Sequence, residues 1–93
     1  MRVKFRSWEC ELKFGYYENG RIAIQLIDAF DKSRVAVATV NVPEIELEEG
    51  EIIIKNYTEN EGMLEALCDA GIIEPVREEP TGLTSVNICK LKV

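Results

Sequence analysis

Glu61 and Glu65 stand four residues apart, a spacing that puts two carboxylates on one face of a helix. Such a pair can share acid and base work or hold part of a divalent cation's shell. Nothing nearby completes the set. The chain has no histidine, which removes the commonest general base at neutral pH and the commonest transition-metal ligand. Its three cysteines, Cys10, Cys68 and Cys89, are odd in number and widely spaced. They read as reduced, half-buried thiols, not as a metal site or a disulfide framework. No Gly-x-x-x-x-Gly-Lys-Ser/Thr loop occurs, and Pro80-Thr81-Gly82 reads as a turn. No catalytic residue, metal or cofactor is assigned, and the chain is not read as an enzyme.

Charge is the stronger signal. Residues 1–43 carry a net +2, residues 44–79 a net −10 and residues 80–93 a net +2, for a total of −6. An acidic middle disfavours direct contact with nucleic acid, whose phosphates need Lys and Arg. It suits a partner with a basic surface. The candidate partner-binding residues are Glu44, Glu46, Glu48 and Glu49, together with Tyr57, Asn60, Glu61 and Glu65. They would form an acidic ridge bearing one aromatic ring. The competing reading is a solvated face that keeps a small protein in solution. A third is a small-molecule or nucleotide-binding protein, with Arg21, Lys32, Arg34, Lys55 and Arg77 as donors. Trp8 with Phe5, Tyr16 and Tyr17 suggests a stacking platform, but the mixed charge around them favours packing in the core and on the sheet. At least one of Tyr16 and Tyr17 must face outward, as neighbours in a strand do.

The elements that would position these residues follow from period and punctuation. Val3 and Phe5 share one face, and Trp8, Cys10, Leu12 and Phe14 share another. The parity changes at Arg6-Ser7, so two short strands meet there or one strand bends at a bulge. Asn19-Gly20 before Ile22–Ala29 is a hairpin signal. Residues 35–42, rich in β-branched side chains, form a third strand of an antiparallel meander. Pro43 stops the ladder. Ile45 and Leu47 alternate with glutamates, so residues 44–48 lie extended over the sheet with their acids in water. Residues 51–55 form a more buried strand. Thr58-x-x-Glu61 fits a capping box, which starts a helix over residues 58–70. Met63, Leu64, Leu67 and Cys68 form its buried stripe, and Gly71 ends it. The two prolines make residues 73–82 a loop, and residues 84–93 form a last alternating strand.

The stretch VATVNVPEIELEEGEIIIKNYTENEGMLEALCDAGIIEPVREEPTGLTSVNICKL resembles a group of small uncharacterised proteins of bacterial plasmids, phages and other mobile elements. The resemblance runs from the hairpin GYYENGRIAIQLID nearly to the end. It is most specific at Lys55–Met63 and at Pro80-Thr81-Gly82. It implies a bacterial or phage setting and an accessory role, and it brings no assigned activity or catalytic residue.

These readings combine into one α+β domain over residues 1–93. It is an antiparallel sheet of four to five strands with one helix on a face, in the order β-β-β-(β)-β-α-β. The parenthesised strand is residues 44–48. No membrane span is expected, because no run of about 18 apolar residues exists, and no signal-peptide core is read in the basic start. The expected setting is the cytoplasm. The expected state is a monomer or a homodimer, since a chain this short buries a limited fraction of its surface. The functional expectation is an accessory protein that binds a basic host protein, as an inhibitor or DNA mimic acting on a nucleic-acid-binding target.

Overall fold

A computed structural model describes residues 1–82 and 84–93. Arg2–Phe5 (β1) and Trp8–Tyr16 (β2) pair across a two-residue turn at Arg6-Ser7, with Phe5 opposite Trp8. The parity change therefore marks a tight hairpin. Arg6 opens it at φ 56°, a left-handed conformation that glycine usually supplies. Ile22–Asp28 (β3) pairs with β2. The Asn19-Gly20 turn forms, but it holds three residues. The Tyr17 N–H donates to the Arg21 carbonyl at 2.8 Å, and Gly20 sits at φ 86°. Arg34–Val37 (β4) completes a four-stranded antiparallel sheet in the order β1-β2-β3-β4.

The third expected strand is cut short. After Val37 the chain turns away to the second sheet. Thr39 bridges Ile54, and Val40 N–H donates to the Ile53 carbonyl at 3.1 Å. Lys55 N–H returns a bond to the Ala38 carbonyl at 2.9 Å. The second sheet holds Glu51–Ile54 (β5), Ile73–Thr81 (β6) and Thr84–Leu91 (β7), in the order β5-β7-β6. The fold is α+β and antiparallel with one α-helix among the described residues, and its strands divide between two sheets joined through Thr39.

Three further expectations are corrected. Residues 44–48 form no strand and pass over the second sheet as irregular turns. Their apolar side chains still do what alternation required. Ile45 and Leu47 pack on a cluster of Ile53, Val86 and Ile88, while Glu44, Glu46 and Glu48 stay exposed. Residues 73–81 form a strand despite Pro75 and Pro80. β6 lies at a sheet edge, where a missing N–H is tolerated, and a register shift follows Pro75. The helix over residues 58–70 divides into a 3-10 turn at Thr58–Asn60 and α1 at Met63–Asp69.

That division has a local cause. Thr58 takes φ 54°, so it cannot serve as an extended cap residue. Its hydroxyl instead shares its one proton between the Tyr57 carbonyl, at 2.7 Å, and the Glu59 carboxylate. Asn56 supplies the missing acceptor. Its Oδ1 takes the Leu64 N–H at 2.8 Å, in the first turn of α1. The other end follows expectation. Gly71, at φ 74°, donates to the Cys68 carbonyl and Ile72 donates to the Leu67 carbonyl, both at 3.0 Å. This paired closure satisfies two carbonyls of the last turn.

α1 contacts β1 and β6, one outer strand from each sheet. Met63 and Leu67 enter a core with Ile24, Leu26, Ile52 and Ile54. Burying a side chain of that size contributes about 1.5–3 kcal/mol. β5 explains its own composition, since Ile52 and Ile54 face this core and Ile53 faces the second cluster. A strand covered on both sides reads as a continuous apolar run. All three thiols are free, with Cys10 and Cys89 buried and Cys68 half-buried.

Candidate functional site: an arginine-pinned acidic segment and a basic cleft

The expected binding residues fall into two groups. The first is the segment from Val42 to Gly50. Two arginines hold it by its backbone. Arg21 donates through Nη1 to the Val42 carbonyl at 2.7 Å and through Nη2 to the Ile45 carbonyl. Arg77 donates through Nη2 to the Glu46 carbonyl at 2.9 Å. Arg77 also binds the Glu51 carboxylate at 3.1 Å and Glu79 at 2.9 Å. Both carboxylates, Glu79 first, raise the Arg77 pKa. The side chain of Glu51 is 6% exposed and also accepts the Glu48 N–H at 3.0 Å. That backbone donor, followed by Arg77, holds its carboxyl below the ordinary value. Glu44, Glu46, Glu48 and Glu49 remain exposed and make no ion pair among the described residues.

The second group surrounds the 3-10 turn. Glu61 and Glu65 are exposed and line a groove with Arg6, Asn56 and Tyr57. Arg6 donates to the Glu61 carbonyl at 3.2 Å, leaving that carboxylate free of the contact. Tyr57 is half-buried against the second apolar cluster, and Lys55 Nζ lies 5.5 Å from its ring centroid. Asn60 does not join that exposed surface. It is 1% exposed, and its Nδ2 donates to the Val37 carbonyl at 2.6 Å. Glu48 and Glu49 line a different groove, beside Arg21 and Leu47. The two acid groups therefore do not share a groove. Among the described residues no three His, Cys, Asp or Glu side chains cluster as a metal site.

A third feature was not legible as a site. A cleft of about 670 Å³ runs along the segment from Arg34 to Asn41. Arg6, Arg34 and Lys55 line it, with Phe5, Trp8 and Tyr17 as its aromatic residues and Glu59 as its acid. Trp8 is 42% exposed. Tyr17 is fixed by a 2.9 Å hydrogen bond between its hydroxyl and Thr39 Oγ1, which also accepts the Ile24 N–H at 3.1 Å. Lys55 pairs with Glu59 at 2.5 Å, whereas Arg34 makes no ion pair or side-chain hydrogen bond among the described residues. Of the five cations weighed as ligand donors, Arg21 and Arg77 are bound to the acidic segment and Lys32 to Glu11 at 2.6 Å. Arg34 and Lys55 share the cleft. Of the aromatic quartet, Phe5 is buried and Tyr16 is 79% exposed, so one of the pair Tyr16-Tyr17 faces outward while Tyr17 is half-buried.

Comparison with protein-family models, with curated proteins and with solved structures finds no match to this chain. Among the described residues no helix is long and apolar enough to cross a membrane.

Proposed function

We propose that the protein is a non-enzymatic accessory module of a bacterial mobile element that binds a basic surface of a host nucleic-acid-binding protein in the cytoplasm. One observation carries this reading. Arg21 and Arg77 grip the acidic segment through the carbonyls of Val42, Ile45 and Glu46, not through its outer carboxylates. A tract serving only hydration needs no such fixing. Here Ile45 and Leu47 anchor the segment from below, and Glu44, Glu46, Glu48 and Glu49 lie exposed with no ion pair among the described residues. A backbone fixed before binding loses less freedom on docking. Their field also speeds encounter with a basic groove. The absence of histidine supports a binding role over a catalytic one.

The test is affinity capture from a bacterial lysate with the native protein and with the triple variant Glu46→Lys, Glu48→Lys, Glu49→Lys. The expected result is a basic nucleic-acid-binding protein that elutes with salt and is lost from the variant. Circular dichroism checks that the variant still folds. Capture that survives charge reversal, or that ignores salt, would sink the reading.

A further inference from the structure

The cleft along Arg34–Asn41 is a separate matter from the acidic segment. In a chain of net charge −6 it gathers Arg6, Arg34 and Lys55 against the single carboxylate of Glu59, a local net of +2. Its volume of about 670 Å³ falls within the roughly 300–1,000 Å³ of small-molecule sites. Cations alone would suit any anion, but Trp8 and Tyr17 line the same space. A half-exposed indole in such a wall offers a flat face for a planar ring. Guanidinium groups offer forked donors that match phosphate oxygens. Arg34 makes no ion pair or side-chain hydrogen bond among the described residues, and Arg6, whose guanidinium lies 5.1 Å from the Phe5 ring centroid, spends one of its five N–H groups on the Glu61 carbonyl. Lys55 is held by Glu59, so its charge is partly answered before any ligand arrives.

We propose that this cleft binds a small ligand that joins a planar aromatic ring to a phosphate, the chemistry of a mononucleotide. The ring stacks on Trp8 and the phosphate meets Arg34 and Arg6. Glu59 opposes binding by holding Lys55 and by its own charge. The inference does not depend on the acidic segment, and reversal of Glu46, Glu48 and Glu49 leaves it unchanged.

The experiment is isothermal titration calorimetry at low ionic strength. The probes are AMP, GMP, CMP and UMP, with adenosine, inorganic phosphate and a short single-stranded deoxyoligonucleotide beside them. At least one monophosphate is expected to bind saturably, about tenfold or more tighter than adenosine or phosphate alone. Trp8→Ala and Arg34→Gln should each weaken it by about tenfold. Glu59→Gln should tighten it several-fold, and Lys32→Gln, outside the cleft, should leave it unchanged. Both Trp8 and Arg34 are exposed, so the variants should fold, which circular dichroism confirms. Silence from all four monophosphates would overturn the proposal. So would affinity unaltered in Trp8→Ala and Arg34→Gln, or an oligonucleotide that binds more tightly than any mononucleotide.

Discussion

Asn60 and Val37 lie 23 residues apart in sequence, yet the Asn60 amide donates to the Val37 carbonyl at 2.6 Å from a site that is 1% exposed. The bond fastens the 3-10 turn to β4, where the first sheet stops and the chain departs for the second. Replacing Asn60 with Leu leaves that carbonyl without its donor. The expected loss is about 1–3 kcal/mol. Urea denaturation would measure it, and an unchanged midpoint would mean that the contact is dispensable.

The start of α1 offers a paired comparison. Asn56→Ala removes the acceptor for the Leu64 N–H and should cost about 1 kcal/mol. Thr58, despite its place in a capping-box pattern, makes no cap bond to the helix. A β-branched residue at φ 54° is strained, so Thr58→Gly should raise stability by roughly 0.5–1 kcal/mol. A conventional cap would give the opposite order.

Glu59 reports on acid. Hydrogen bonds from Lys55 and then from Thr58 take its carboxyl from an ordinary 4.5 down to about 2. The folded value lies below the unfolded one, so the linked stability is complete above pH 4.5 and drains away as pH falls toward 2. The group is solvent-exposed, so the effect should be largest at low salt. Glu59→Gln should flatten the acid limb of a plot of Tm against pH. A native profile identical to that of the variant would show that the ion pair does not persist in solution.

The thiols should separate by accessibility. Burial pushes the Cys89 thiol up to about 12, and burial likewise raises Cys10 and Cys68. Cys68 alone is half-buried. Ellman's reagent at pH 8 is expected to modify Cys68 slowly, and to reach Cys10 and Cys89 only after denaturant is added. Rapid reaction of all three in the native protein would contradict the packing of β2 and β7.

Signals confined to a few neighbouring residues were readable. Asn19-Gly20 marks its turn and Gly71 ends its helix, because each depends on local backbone geometry. The continuous isoleucines of β5 point to burial for the same reason. Thr58 misleads because its own backbone conformation defeats the cap that its spacing suggests. Pro75 and Pro80 mislead because proline forbids a central strand and not an edge strand, and edge position is a property of the whole sheet. The cleft was illegible on different grounds. Arg6, Trp8, Arg34 and Lys55 are brought together by pairing across two sheets, and no stretch of sequence contains them all. Asn60 read as a surface amide because nothing local says that its partner is a strand carbonyl 23 residues away.

β6 has one further consequence, for how copies of this chain meet one another. An open strand edge is a template on which other chains polymerise. Along this one, Pro75 and Pro80 supply no N–H to a stacking strand, the register breaks after Pro75, and Glu74 and Glu78 project charge into water. The residues that disguised the strand in the sequence are the same ones that guard the folded protein against fibril growth from that side.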